Sequence, residues 1–495
     1  MDKRQIISNA HMAVLQIVVN GATLFILYRF LLSTIGATQL GIWSLVLAMS
    51  AVSQIASFGL SGSVIKFVAK YIAREEPENA SIVVQTATIS IAAFLCVTAP
   101  IAYPCIAWVL GRAVPHESLP LALSILPHAV VALSVMLLNG VIQGGLDGCS
   151  RIDLRNLILM GGTVTHLLLC LVLVPRYGLM GAAWARVVNG LGVCIVVWVL
   201  LRSILPVLPL IPLRWDRRTF REIIGYGANF QIISICYMLY DPITKALLSR
   251  FGSLPMVAYY DMASRLANLC QTLIVSANQV LVPTIAMLRE RAPEKIQAVY
   301  TMSYRTVFYL ALPSYTLIVA YTPIISEFWI GRYEPIFVTW GMLLALGYLF
   351  NTLNAPAYTA YQGIGTLRWN AVSRVVTAVL NLGLGFLFGA YFGGIGVVVG
   401  WIVAFALGSV IICVSYHLTY KISLTTLLPK ESIPILSFCL AGVVFDILIN
   451  RRGSHVTLSL TPAVINALVF SVVIFLSGWR HPMRRLLLNW SRMRF

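Results

Sequence analysis

About five basic side chains fall well inside long apolar stretches of this 495-residue chain, Arg29, Arg186, Lys245, Arg265 and Arg374, and Asp241, Asp261 and Asp446 join them. A charge at the centre of a bilayer costs ~2.5–3.5 kcal/mol even on a lenient insertion scale, so such groups must face a wet cavity or a partner. Residues four apart share one face of a helix, which puts Asp241 with Lys245 and Asp261 with Arg265. Two readings follow: each cation is neutralised by its acid, or the cations hold an anionic ligand. Arg suits phosphate through bidentate hydrogen bonds and Lys as a point charge. The excess of cations over acids favours the anion. Arg29 has no acid nearby in sequence, but it lies near a span end and could snorkel to the interface.

Neutral polar residues extend these faces. Gln231, Ser234 and Tyr237 precede Asp241, while Asn268, Thr272, Ser276 and Gln279 follow Arg265. Asn351, Asn354, Tyr358 and Gln362 form a third stripe, and Ser373, Arg374, Thr377 and Asn381 a fourth; Gln16, Asn20 and Thr23 lie on one face near the N-terminus. Such stripes either line a hydrophilic cavity or hydrogen-bond helices to one another. Arg29, Lys245, Arg265, Arg374, Asn268, Asn354, Gln362 and Asn381 are the candidate cavity residues. Asp241 and Asp261 are the candidates for ion coupling. Pro242 interrupts the helical hydrogen-bond ladder beside Asp241 and predicts a kink. His11, His128 and His166 read as hydrogen-bonding core residues rather than a proton relay.

The elements that must carry these residues are transmembrane helices. Hydrophobic residues make up 59% and charged residues 11%, against roughly 25% charged in soluble domains. Hydropathy gives spans at 9–32, 41–60, 81–110, 119–143, 157–174, 181–202, 223–248, 255–285, 304–327, 335–362, 370–391, 393–418, 432–450 and 459–477. The start, Met1-Asp2-Lys3-Arg4, leads into the first span with no cleavage signature. Of the 35 Lys and Arg, 24 fall in one set of alternate loops and six in the other: Arg112, Arg176, Arg250, Arg332, Arg451 and Arg452. The positive-inside rule then places both termini in the cytoplasm. The net charge of +18 is a topology signal and a contact with anionic lipid; no basic soluble domain exists to bind nucleic acid. Nine scattered cysteines predict neither zinc nor a disulfide framework. The stretch 61–78 aligns Lys66, Lys70 and Arg74 opposite Val64, Val68, Tyr71 and Ile72. It reads as an interfacial helix, as does the basic tail from Arg480 to Phe495, and headgroup sensing is the sharper alternative.

The chain also repeats. At an offset of 216, Gly36 meets Gly252, Trp43 meets Tyr259 and Arg29 meets Lys245. At 219, Gln143-Gly144 meets Gln362-Gly363 and Arg155 meets Arg374; at 215, Gly178-x-x-Gly181 meets Gly393-x-x-Gly396. Six spans per copy give a parallel repeat about an axis along the membrane normal. The expected fold is therefore an all-α integral membrane protein of about fourteen helices. Its parts are an N-lobe (1–202), a basic cytoplasmic linker (203–222), a C-lobe (223–420), and two added helices with a basic tail (421–495).

Arg29-x6-Gly36-x4-Gly41-Ile42-Trp43, with Phe58-Gly59-Leu60 and Val68-Ala69-Lys70-Tyr71, resembles the opening of bacterial polysaccharide-export flippases. Asp241, Lys245, Gly252 and Ala258-Tyr259-Tyr260-x2-Ala263-x-Arg265-Leu266 resemble the same group. It belongs with the multidrug extruders and the lipid II flippase in the multidrug/oligosaccharidyl-lipid/polysaccharide (MOP) exporter superfamily. The resemblance to the O-antigen (Wzx-type) flippases implies movement of an undecaprenyl-pyrophosphate-linked oligosaccharide, an O-antigen or exopolysaccharide unit, between leaflets of the bacterial inner membrane. It implies that cavity cations hold the pyrophosphate and sugar, and that the two added helices form a groove for the lipid tail. Partners would be the lipid-linked oligosaccharide, membrane lipids and other polysaccharide-assembly proteins. No cofactor is expected; a proton or sodium gradient could act through Asp241 or Asp261. A cation or drug antiporter of the same fold is the alternative, though the N-lobe lacks a dense acidic cluster. A membrane glycan polymerase is a further one, disfavoured by short outer loops and the lack of a nucleophile–base arrangement, so the chain reads as a non-enzyme.

Overall fold

The structure is a computed structural model that describes residues 3–51, 60–279, 281–423, 427, 432–452, 467–468 and 471–472. The described residues are helical almost throughout and contain no strand. The helices are α1 (Lys3–Ser50), α2 (Leu60–Ala73), α3 (Pro77–Ala113), α4 (Leu119–Gly148), α5 (Ile152–Ile204) and α6 (Arg217–Phe251). There follow α7 (Leu254–Asn278), α8 (Leu281–Arg291), α9 (Ile296–Ile330), α10 (Pro335–Leu353), α11 (Ala355–Ile364), α12 (Arg368–Thr419) and α13 (Ile433–Arg452). Among the described residues, seven helical stretches are long and apolar enough to cross a membrane, two of them over 50 residues. The predicted span 459–477 and the basic tail lie outside the described residues, apart from four residues near Ala467.

The two longest helices are hairpins. α5 breaks at Gly178 (φ 56°, ψ −137°) and α12 at Gly393 (φ 63°, ψ −147°). Left-handed φ of this kind is open to glycine and strained for other residues. The chain folds back at once: a methyl on Gly181 would lie 2.4 Å from the Leu173 carbonyl oxygen, and one on Gly396 2.0 Å from that of Phe388. In a straight helix, positions eight apart would be about 12 Å apart. These breaks separate the span pairs 157–174/181–202 and 370–391/393–418. The repeat read from Gly178 and Gly393 therefore extends to backbone angles that agree within 10°. α1 is broken likewise at Gly36 (φ 76°, ψ 169°).

Three expectations shift. Span 335–362 divides after Leu353, because Pro356 lacks the N–H that would continue the ladder. Span 255–285 ends at Asn278, and a separate helix with Pro283 in its first turn begins at Leu281. The amphipathic stretch 61–78 is helical only to Ala73: Glu75 takes φ 60°, and Pro77 opens α3.

The chain forms two compact units, Met1–Ala258 and Tyr259–Phe495. In the first, α2 to α5 pack around Val64, Val84, Val141, Leu146, Val197 and Leu201, each fully buried. In the second, Tyr300, Tyr361, Ile412 and Tyr416 form one core, and Ala311, Tyr315 and Ala345 another. Ile435 and Cys439 of α13 pack on Phe308 and Leu312 of α9. The outward faces of α5 and α12 are apolar, with Leu168, Val172, Ile195, Val379 and Leu382 all exposed. Such surfaces suit lipid, not water.

Candidate functional site

In the first unit, α6 packs against α1, α2 and α3 and carries the first charge pair. Lys245 Nζ lies 2.7 Å from Asp241 Oδ2, as the four-residue spacing predicts. The two ends differ in environment: the Lys245 side chain is 4% exposed and that of Asp241 51%. A buried ammonium is thus held by a carboxylate that meets the surroundings. The Thr244 hydroxyl between them donates to the Tyr240 carbonyl, and Pro242 removes the N–H that would reach the Met238 carbonyl. Arg29 lies on α1 with an exposed side chain. The side chains of Gln231, Ser234, Tyr237 and Asp446 lie outside the described residues.

The second unit carries the other pair with the environments exchanged. Arg265 Nε donates to Asp261 Oδ2 at 3.0 Å; here the acid is 5% exposed and the cation 38%. Their helix, α7, is fixed on three sides. Tyr260 packs edge-on against Trp401, the Tyr315 hydroxyl reaches the Ala267 carbonyl, and the Asn278 amide donates to Thr359 while its oxygen accepts from Ser303. Asn268 is exposed and accepts from the Thr272 hydroxyl at 3.1 Å.

Two predicted stripes meet at Arg374. Its guanidinium carbon lies 5.2 Å from the centre of the Tyr358 ring, within cation–π range. The Asn370 amide ties the Tyr358 carbonyl to α12 at 3.1 Å. Asn354 donates to Ser409 at 2.8 Å and to Asn351 at 3.2 Å, and Ser373 donates to the Gly408 carbonyl. Asn354 and Asn381 are buried, and Gln362 is half-buried. The neutral part of these stripes therefore contains helix-to-helix bonds, whereas Arg265 and Arg374 keep partly accessible side chains.

Several polar constellations were not read from the sequence. Arg155 pairs with Asp147 across the turn at Ser150, a separation of eight that no single-helix spacing anticipates. Arg155 is the repeat counterpart of Arg374, and the counterpart of Asp147 is Thr366. The duplicated arginine thus faces a carboxylate in one copy and an aromatic ring in the other. Glu334 joins the Tyr259 hydroxyl (3.1 Å) to Arg332 (2.9 Å), and its backbone N–H donates to Ser326. Gly111-Arg112 and Gly331-Arg332 would have signalled that corner, because they match at an offset of 220. The Tyr300 hydroxyl lies 2.7 Å from His417 Nε2, and Trp184 donates to His128. No group of three or more metal-binding side chains occurs among the described residues.

Glycine-hinged helical hairpins and, among the described residues, seven long apolar helical stretches define a multi-pass membrane protein, and its fold is shared with solved structures of the MOP superfamily. A structure described as an inward-facing multidrug resistance MATE family transporter of that superfamily matches with a TM-score of 0.70 and 16% identity, over 81% of this chain and 94% of the other. The lipid II flippase MurJ in an inward closed conformation matches with a TM-score of 0.69 and 14% identity, over 96% of this chain and 100% of the other. An outward-facing MATE transporter matches with a TM-score of 0.61 and 16% identity, over 84% and 97%. No curated protein matches the sequence. Residues 8–289, more than half of the chain, match the family described as "Polysaccharide biosynthesis protein", and the chain belongs to that family.

Proposed function

We propose that the protein is a flippase that moves an undecaprenyl-pyrophosphate-linked oligosaccharide from the inner to the outer leaflet of the bacterial cytoplasmic membrane. The observation that carries this reading is the set of intramembrane cations, Lys245, Arg265 and Arg374, in a chain of the polysaccharide biosynthesis family. A pyrophosphate supplies the anionic charge that such groups are suited to hold. Arg29, Asn268 and Gln362 are further candidates for headgroup and sugar contacts, and Asn354 and Asn381, both buried, complete the candidate set. The lipid tail stays in the bilayer while the head is exposed to one side and then the other. Both termini lie in the cytoplasm, and the movement involves no covalent chemistry. Other polysaccharide-assembly proteins would act on the delivered unit.

A proton or sodium gradient acts through Asp241 or Asp261 in this scheme, since each carboxylate holds a cation whose charge is unmasked when the acid is neutralised. A drug or cation antiporter is the second reading, favoured by the MATE structures. Those leave about a fifth of this chain unmatched, whereas MurJ is matched nearly end to end, which supports the flippase.

The test is a deletion strain. Loss of surface glycan with accumulation of lipid-linked precursor, both restored by the wild-type gene, is the expected outcome. Normal glycan with increased sensitivity to cationic drugs would overturn the flippase in favour of the antiporter.

A further inference from the structure

Between α5 and α6 the chain does not cross open solvent. Residues 205–216 form a non-helical strap laid along α3. The Ser81 hydroxyl donates to the Val207 carbonyl at 3.4 Å, and the Gln85 side-chain oxygen accepts from the N–H groups of Leu213 and Arg214 at 3.3 and 3.1 Å. The Asp216 N–H donates to Thr86 at 3.2 Å, and the Trp215 indole donates to Ser90 at 3.0 Å. Ser81 to Ser90 is about 13 Å of helix rise. The strap therefore runs along the N-terminal part of α3 instead of standing off from it.

Its composition suits that position. Pro206, Pro209 and Pro212 fall at every third residue and remove three N–H donors that would otherwise need partners away from water. Leu205 and Leu208 turn into the core of the first unit. Val207, Leu210, Ile211 and Trp215 turn out, and Leu213 is 82% exposed. Directly after this apolar ridge come Arg214, Arg217, Arg218 and Arg221, all exposed. Two acids lie among them: Asp216, which interacts with Arg218 and Arg214, and Glu222, in a solvent-exposed 3.5 Å contact with Arg218 that contributes little, so the cluster keeps a net positive charge. The Ser63 hydroxyl bonds the Ile223 carbonyl at 2.8 Å and brings α2, with its exposed Lys66, beside this end of α6.

We propose that the strap and the first turns of α6 form a binding site for anionic phospholipid of the cytoplasmic leaflet, with Leu210, Ile211, Leu213 and Trp215 among the upper acyl chains and the arginines on headgroup phosphates. An apolar wedge bounded by cations is complementary to a negatively charged bilayer surface on both counts. The site rests on the cytoplasmic orientation of this loop and not on the identity of the transported molecule.

The test uses the full-length protein in nanodiscs of mixed phosphatidylglycerol and phosphatidylcholine. The readout is the ratio of the two lipids retained on gentle detergent extraction. Each arginine near an anionic surface is worth roughly fivefold. Changing all four to Gln should therefore lower the phosphatidylglycerol preference by at least about tenfold, and changing all four to Lys should keep most of it. Inorganic phosphate alone should not displace the lipid; displacement by it would mark a free-anion site and overturn the lipid assignment. Independently, a fluorescent amino acid at position 213 should be quenched by lipids labelled with nitroxide high on the acyl chain. Quenching by aqueous iodide alone, or equal lipid ratios in wild type and the Gln variant, would overturn the site. Lost lipid preference with intact glycan export leaves the flippase reading untouched, whereas labelling of the strap from outside the cell refutes the orientation and this site together.

Discussion

Asp241 and Lys245 share one salt bridge, yet replacing them should have unequal consequences. Asp241→Ala leaves a buried ammonium without its carboxylate, and removing one partner of a buried pair costs ~3–5 kcal/mol. Lys245→Ala leaves a half-exposed carboxylate, where the lost pairing is worth ~0–1 kcal/mol. The Asp261–Arg265 pair reverses the order, because there the acid is the buried member. At ~2–4 °C per kcal/mol for a unit of this size, Asp241→Ala should unfold about 4 °C or more below Lys245→Ala, and Arg265→Ala below Asp261→Ala by a similar margin. The double variant D241A/K245A removes both charges and should regain most of the stability lost in D241A, a coupling that a double-mutant cycle reads directly. Export should stay abolished in it, since Lys245 is assigned to the substrate. The assay is thermal unfolding of fluorescent fusions followed by size-exclusion chromatography, with surface glycan measured in parallel. Equal shifts for the two single variants, or a reversed order, would refute the burial asymmetry as the governing factor. Recovered export in the double variant would reduce Lys245 to a counter-ion.

Three other outcomes are expected. Fusions at the C-terminus should give inactive alkaline phosphatase and bright green fluorescent protein; the opposite pattern would reverse the orientation. At matched membrane levels, Arg265→Ala or Arg374→Ala should abolish glycan export and accumulate lipid-linked precursor. Lys at either position should retain part of it, because charge survives while bidentate geometry is lost, and Arg29 should tolerate change best. Wild-type export from R265A/R374A would sink the anion-holding role. Gly393→Ala should cost ~1–3 kcal/mol through its left-handed backbone, as should Gly178→Ala, whereas Gly383→Ala, at a helical position with open space around it, should be near neutral; thermal unfolding of the three variants checks this.

Hydropathy was enough to place most of the described helices, and the glycine matches at 178 and 393 anticipated a repeat that the backbone angles repeat in turn. Both i,i+4 charge pairs were legible, because one helix sets that geometry alone. Which member of each pair is buried was not, since that depends on neighbouring helices far away in sequence. Arg155–Asp147 and Tyr259–Glu334 escaped for the same reason: the first crosses a turn and the second joins residues 75 apart. The polar stripes left cavity and packing roles open at Asn354, whose bonds to Asn351 and Ser409 are set by two different helices. The strap was read as a basic linker because Leu205 to Leu213 carries no helical or strand periodicity, and only contacts with α3 reveal its course.

The glycine-hinged hairpins bear on how the chain is made. Two helices joined through a single residue cannot be handed to the bilayer one after the other with a hydrated loop between them; they must enter as a pair, tip first. What has to pass through the hydrocarbon is then very small. In the first hairpin the tip, 173–181, holds one charged side chain, Arg176, and in the second, 389–397, it holds none. Since each charge dragged through the lipid centre costs ~2.5–3.5 kcal/mol or more, both hairpins are nearly exempt from the main barrier to membrane integration.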